Sequence, residues 1–241
     1  MILVIGCGFV GGTIADCLDE HDIEVVRIDP RFNDNKIKDY LNAEGAIICL
    51  PTPTENGKPD DSVIKKVVNG LGDMKVLIKS TMLPNQIDNY SDNVCYSPEF
   101  LREKHAKEDF KNQKIFIWGG KDKEVKWWLD KFKILNKENI VTNRKTASMV
   151  KYIHNCWLAT KVTFFHDLNR KLNKDINYDE MIGILGMFEN IGPSHMKVEK
   201  LGYDGSCFPK DIEAFKNYTN NKILDTVMKV NNNLLKTRRM L

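Results

Sequence analysis

The stretch GYDGSCFPKD, residues 202–211, sets a cysteine between a glycine-containing turn and a proline. Pro209 suits the first position of a helix beginning PKDIEAF, because its φ is already helical and no partner exists there for the N–H it lacks. Cys207 then lies just outside a helix N-terminus, where the dipole favours thiolate over thiol. Asp211 follows four residues later on the first turn. The competing reading of any single cysteine is a small, inert, buried apolar residue. That reading is preferred for Cys7, Cys17, Cys49, Cys95 and Cys156, which are scattered and mostly sit inside apolar patterns. Lys151 and Asn155, four apart in KYIHNCWLATKV, share one helix face and so offer a cation and an amide donor together. A lysine on an amphipathic helix is otherwise a solvated group. Glu99, in SPEF, reads by itself as part of a turn and helix cap.

A second site is written at the start of the chain. Residues 2–5, ILVI, form a short buried-strand run; GCGFVGGTIADCL and a second run ending in Asp29 follow. Gly6 permits the tight turn, Gly8 lets the backbone approach a pyrophosphate, and Gly11 lets a helix pack on the strand. The helix then offers free N–H groups and a positive dipole end to phosphates. Asp29 is placed to accept both ribose hydroxyls of an adenosine, which selects NAD over NADP by repelling a 2′-phosphate. Arg27 and Arg31 flank Asp29, and either would soften that preference by receiving the phosphate.

Positioning these groups requires a sheet and a set of helices. Buried-strand runs recur at 45–50, 75–80, 93–97 and 114–119, with helical patterns at 61–71 and 123–135. Alternation of this kind predicts an α/β fold, a doubly wound parallel Rossmann sheet. The strand tips GCG, PTPT, ST and SPE should line one crevice at its carboxyl edge. From about residue 144 only helical patterns appear, at 146–172, 177–188, 210–218 and 221–241. In 146–172 the apolar residues at 150, 153, 157, 158, 162, 165, 168 and 172 mark one face. The expected division is therefore a dinucleotide-binding domain over 1–143 and an all-helical domain over 144–241. The 241 residues suffice for both, and 42% hydrophobic with 29% charged residues is ordinary for a globular protein with a real core. A net charge of +3 is too small to imply nucleic acid. No apolar run approaches a membrane span. The start lacks a basic leader, and the six cysteines form no C-x-x-C pair and meet no histidine cluster. A cytoplasmic protein with reduced thiols and no metal is expected.

CLPTPT (49–54) followed by GKPD, SPEFLRE (97–103), KYIHNCWLATKV (151–162) and GYDGSCFPKD occur together, in order, with the glycine loop. In this combination the chain resembles the UDP-glucose/GDP-mannose 6-dehydrogenase family across nearly its whole length. The resemblance implies oxidation of a nucleotide sugar's C6 alcohol to a carboxylate by two NAD in succession, with UDP-glucose the expected substrate. It implies that Cys207 holds the intermediate aldehyde as a thiohemiacetal, later a thioester. Lys151 and Asn155 then stabilise the oxyanion at C6. Asp211 orients a water or the lysine, and Glu99 serves as acid/base for hydrolysis. Thr81 and Glu103 face the nicotinamide; Gly6, Gly8, Phe9, Val10, Gly11, Asp29 and Thr52 complete the cofactor site. Phe100, Leu101, Arg102, Tyr203 and Gly205, with Lys151 and Asn155, contact substrate.

The chain departs from the family's pattern in several places. Asp204 stands where a second glycine is usual, adding a negative charge near the thiol. His166-Asp167 replaces an Asn-Glu pair, Thr146 and Ser148 replace acidic residues, and Asn190 replaces an arginine. The segment between Asp29 and CLPTPT is short, consistent with a trimmed sheet, and a C-terminal nucleotide-binding domain is expected to be lacking. Beside the active dehydrogenase stands a second reading, a non-catalytic or half-enzyme NAD-binding module that needs a full-length homologue. A third is a β-hydroxyacid-type dehydrogenase, which has no use for a nucleophilic cysteine. Surplus apolar surface on 146–172 predicts a homodimer through that helix.

Overall fold

The computed structural model describes residues 1–240 and divides the chain into two compact units. The first comprises Met1–Pro53 and Pro59–Lys151; the second comprises Thr54–Lys58 and the chain from Tyr152 onward. Elements begin with β1 (Ile2–Ile5), α1 (Phe9–Asp19), β2 (Val25–Ile28) and β3 (Gly45–Ile48). A small hairpin, β4 (Thr54–Glu55) and β5 (Lys58–Pro59), precedes α2 (Ser62–Leu71) and β6 (Lys75–Ile78). Then come α3 (Pro84–Ile87), β7 (Val94–Tyr96), α4 (Ala106–Asn112), β8 (Ile115–Gly119), α5 (Asp122–Phe132) and β9 (Glu138–Thr142).

Seven strands form one sheet in the order β2-β1-β3-β6-β7-β8-β9. The pattern of side chains explains why both faces are covered. Ile2 and Val4 point with Ile47 and Leu77 into a cluster that includes Ile14 of α1, Phe110 of α4 and Trp128 of α5. Leu3 and Ile5 point the other way, with Ile48 and Ile78, against Ile64 and Val68 of α2. Period-two alternation with both faces apolar gives the near-continuous hydrophobic runs of a buried parallel strand. From β1 the chain goes to β2 on one side and later to β3 on the other. The carboxyl end of β1 is therefore the switch point, the place where open α/β sheets bind ligands.

The sequence pattern predicts a parallel sheet, and the observed one is parallel at every pairing but one. β2, β1, β3, β6 and β7 run together, but β8 meets β7 antiparallel through one pair, Tyr96 with Gly119. Between these strands residues 97–105 form a loop and a 3-10 turn, and α4 supplies seven residues. β9, absent from the expected strands, pairs parallel with β8 at the sheet's edge and is mostly exposed. The unforeseen β4–β5 hairpin turns through Asn56 and Gly57, both at positive φ, the backbone of a two-residue hairpin turn. Gly57 lies so close to Asn217 that a Cβ there would overlap its amide.

Helices alone follow β9 among the described residues: α6 (Arg144–Lys171), α7 (Tyr178–Gly186), α8 (Phe208–Thr219) and α9 (Lys222–Arg238). The units part inside α6, after Lys151, rather than at 143/144. The first two turns of α6 belong to the sheet's core, with Ala147 in its cluster and the Ser148 hydroxyl donating to Met82 O at 2.6 Å. The buried face of α6 also differs from the expected one. Val150, Ile153 and Trp157 point to solvent, as does Phe164, whereas Ser148, Lys151, Asn155, Lys161, Thr163 and His166 are buried. These polar groups share the buried face with Tyr152, Val162 and Phe165, so the expected apolar stripe is covered only in part. No helix among the described residues is long and apolar enough to cross a membrane.

Candidate active site

In the sheet unit the glycine loop has the geometry its sequence implies. Gly6 sits at φ +86°, and a Cβ there would lie 2.6 Å from Cys49 O. At Gly11 a Cβ would come within 2.0 Å of Gly6 O, so glycine is what lets α1 pack on the strand. Gly8, the N-cap of α1, has no such constraint; its nearest neighbour is the Arg31 guanidinium, 3.8 Å from the Cβ position. Phe9 and Val10 pack in the first turn of α1. The loop therefore opens a cradle over Gly8 at a helix N-terminus, which suits a pyrophosphate.

Asp29 ends β2 as expected, but its carboxylate is already engaged. One oxygen accepts from the Arg31 backbone N–H and Nε at 3.0 Å each; the other accepts from the Cys7 N–H at 2.8 Å and Arg31 Nη2 at 2.6 Å. Hydrogen bonds from Arg31 hold the carboxyl far below the usual carboxylate range. Arg27 is not at the site: its guanidinium is committed to Asp16 and Asp19 on α1.

The other strand tips are tied together. The Thr52 hydroxyl donates to Thr81 O at 2.8 Å, joining the tips that follow β3 and β6. Beyond β7, Glu99 is buried; one oxygen accepts the Leu101 N–H at 2.6 Å and the other takes Lys151 Nζ at 3.1 Å. Lys151 also lies over the Phe100 ring, 5.4 Å from its centroid. Leu101 turns into the apolar core. Arg102 is exposed and forks onto Asp109, while Glu103 opens an exposed 3-10 turn. The sequence reading passed over Lys79, which is buried and donates to Ser97 Oγ at 3.0 Å, with Pro98 O at 3.5 Å. Burial lowers its pKa to about 8. Its position directly after a strand, in KST, was the available signal.

In the helical unit Cys207 is the N-cap of α8, half-buried, with Ser206 Oγ 3.7 Å from its sulfur. The helix begins at Phe208, so Pro209 occupies the second helical position. Asp211, on the first turn, is buried; Asn155 Nδ2 donates to one oxygen at 2.7 Å and Lys210 Nζ to the other at 2.6 Å. By contrast, burial pushes the Cys49, Cys95 and Cys156 thiols up to about 12, leaving them protonated.

The loop carrying Cys207 is fixed by groups far away in sequence. Gly202, at φ +75°, leaves no room for a Cβ beside Asn231 Oδ1. Asn231, buried on α9, accepts the Tyr203 N–H at 2.8 Å and donates to Tyr203 O at 3.0 Å. The Tyr203 side chain is buried, edge-on to Phe208. Asp204 does not take the left-handed conformation; Gly205 does, at φ +85°. The Asp204 carboxylate pairs with Lys200 at 2.9 Å and Arg238 at 2.7 Å, and these partners hold it ionised below the usual range. Its charge is compensated locally, which answers the concern that it opposes the thiolate.

His166 is the third anchor. Its Nδ1 accepts the Gly202 N–H at 3.0 Å and its Nε2 donates to Lys197 O at 3.2 Å, so the neutral ring is required. Burial keeps its pKa below the ordinary value. Above about pH 6.5 the ring is neutral folded or unfolded and the bond costs nothing in protonation. As pH falls below that value the unfolded chain takes the proton first, and stability declines until the folded pKa is passed. The melting temperature should therefore fall between pH 7 and 5 by calorimetry, with a shallower slope in His166→Gln; equal slopes would refute the assignment.

Residues 145–233 match the central domain of the UDP-glucose/GDP-mannose dehydrogenase family. UDP-glucose 6-dehydrogenase of Rickettsia bellii is 29% identical over 95% of this chain and 66% of that protein. The chain is similar to this family over nearly its whole length. It spans about two thirds of the length of the Rickettsia relatives. UDP-glucose 6-dehydrogenase AglM of Haloferax volcanii is 28% identical over 88% of the chain and 63% of its own length. Among solved structures, a UDP-glucose dehydrogenase from Pyrobaculum islandicum superposes with a TM-score of 0.85 at 22% identity, covering 96% of this chain and 67% of that one. A GDP-mannose dehydrogenase from Pseudomonas aeruginosa, solved as a ternary complex, gives 0.71 at 23%, covering 98% and 69%. These likenesses are of fold.

Proposed function

We propose that this chain is a member of the family and oxidises the C6 alcohol of a nucleotide sugar, UDP-glucose first among them, to the carboxylate with two NAD in succession. The observation that carries the reading is a half-buried cysteine capping a helix whose first turn holds Asp211, buried and hydrogen-bonded to Asn155 of α6. A packing cysteine needs neither the helix N-terminus nor the polar pair.

The Gly8 cradle at the N-terminus of α1 would hold the pyrophosphate of NAD, which when bound would supply a hydride acceptor. Hydride leaves C6 and the alcohol proton goes to a base, giving an aldehyde. The Cys207 thiolate adds to that carbon, forming a C–S bond and a thiohemiacetal oxyanion. Asn155 and Lys151 offer the donors for this charge. Loss of a second hydride from the thiohemiacetal carbon, with a second NAD as the acceptor it would require, would give a thioester. Water, activated by Glu99, adds to it; the C–S bond breaks, releasing carboxylate and regenerating the thiol. Asp211, hydrogen-bonded to Asn155 and Lys210, fixes the amide's orientation, which is a positioning role. A panel of UDP- and GDP-sugars, read by absorbance of reduced nicotinamide, tests this; silence toward every sugar while NAD still binds would sink it.

The apolar side chains that α6 leaves exposed favour a second copy as partner. Trp157 and Phe164 are 62% and 61% exposed on α6, and Met187 and Phe188 are exposed after α7. A patch of that kind marks an interaction surface. Light scattering should give about twice the 27.8 kDa chain mass, and Trp157→Glu should shift it to one chain. A monomer at every concentration overturns the pairing.

A further inference from the structure

The adenosine end of the glycine-loop crevice is not the bare acid that the sequence motif implies. A carboxylate offers about four acceptor positions, and Asp29 already meets four N–H groups, two of them from the Arg31 guanidinium. Ribose hydroxyls cannot bind there without moving the guanidinium. Arg31, in contrast, has a side chain 65% exposed against 4% for Asp29. Guanidinium carries five N–H groups; two are used on Asp29, leaving three to face outward. It also stands over the cradle, next to the Gly8 backbone, and Phe32 flanks it with the ring centroid 5.2 Å from Cζ. Arg27 does not share this position, being neutralised by Asp16 and Asp19.

Two electrostatic consequences follow from that geometry. A lone carboxylate at a strand end excludes a 2′-phosphate by repulsion. Here the ion pair is neutral overall, and its outward side is the cation, with donors in the planar fork that suits phosphate oxygens.

We propose that Arg31 is the cofactor-specificity residue, cancelling the exclusion at Asp29 and binding a 2′-phosphate so that the site accepts NADP as well as NAD. The proposal rests on the dinucleotide reading of the glycine loop given above. No bond is made or broken; the claim concerns binding alone.

Isothermal titration of the full chain with NAD and NADP, and with 2′,5′-ADP against 5′-AMP, tests it without turnover. The wild type should bind NADP within about tenfold of NAD. Arg31→Gln should weaken NADP and 2′,5′-ADP about 10- to 100-fold, the loss of a charge-assisted fork. NAD and 5′-AMP should be unchanged or tighter, since Asp29 is then free for the ribose. Arg31→Lys, which keeps the charge without the fork, should fall between. If the wild type prefers NAD by more than about 100-fold, or if Arg31→Gln weakens both dinucleotides equally, the proposal is overturned and the dinucleotide site stands. Equal weakening would mean that the guanidinium serves the pyrophosphate common to both. Binding of neither dinucleotide overturns this proposal and the cofactor reading together.

Discussion

Cys207→Ala is expected to abolish formation of the carboxylate, with the rate of acid production down by at least about 1,000-fold. The side chain is half-buried at a helix N-cap and its sulfur is near only Ser206 among the hydrogen-bonding contacts. Truncation there leaves a small void at a surface, so the melting temperature should hold within the range of ordinary surface substitutions. The loss is chemical. Without a thiol the aldehyde has no covalent tether, so any turnover should stop after one hydride transfer and release the aldehyde. Cys207→Ser, nearly isosteric, should fail in the same way, because a serine hydroxyl in this position has no base arranged to ionise it. Mass spectrometry of the product mixture separates aldehyde from acid. Acid formed by Cys207→Ala at near the native rate would remove the cysteine from the mechanism.

The second large effect concerns the buried ion pair. Lys151 and Glu99 side chains are 5% and 10% exposed, with Nζ and Oε1 3.1 Å apart. Two charges withdrawn from water in this way are costly individually and tolerable together. Lys151→Met leaves the Glu99 carboxylate buried with the Leu101 N–H as its remaining hydrogen bond among the described residues, and should destabilise the fold by about 3–5 kcal/mol. Buried Lys79 adds a nearby positive charge that favours the lower end of that range. In a chain of this size the loss corresponds to a fall of about 6–20 °C in melting temperature. Lys151→Met combined with Glu99→Gln removes both charges and should recover most of it. Activity should vanish in both variants, since both residues are assigned to the chemistry. A double variant as unstable as the single one would show that the pair does not act as a unit.

The legible parts of this protein were those where one residue type satisfies a local constraint. Gly6, Gly11 and Gly202 could be read from the sequence or explained at once from the structure, since a Cβ at each would overlap a specific neighbouring atom. Strands with both faces buried, such as β1 and β3, announce themselves as short apolar runs. β9 did not, because an exposed edge strand carries no such run. Helix α6 was legible as a helix but not in its orientation. Periodicity assigns the whole apolar stripe to the core, whereas the buried face holds Lys151, Asn155 and His166 beside Tyr152, Val162 and Phe165. Polar side chains turned inward are the mark of a site, and pattern alone cannot see it. The partners of the Cys207 loop were also out of reach, since Asn231 and Arg238 meet it from 28 and 34 residues away. Asp204 looked like an intrusion beside the thiol until Lys200 and Arg238 were found on its carboxylate.

The central claim is a four-electron oxidation tethered at Cys207, and its most direct measurement is stoichiometry. With limiting UDP-glucose and excess NAD, reduced nicotinamide and sugar acid should be counted together as the reaction runs to completion. The account predicts two reduced nicotinamides per sugar, no free aldehyde, and acid equal to sugar consumed. One reduced nicotinamide per sugar with aldehyde as the product would contradict it, whatever the rate.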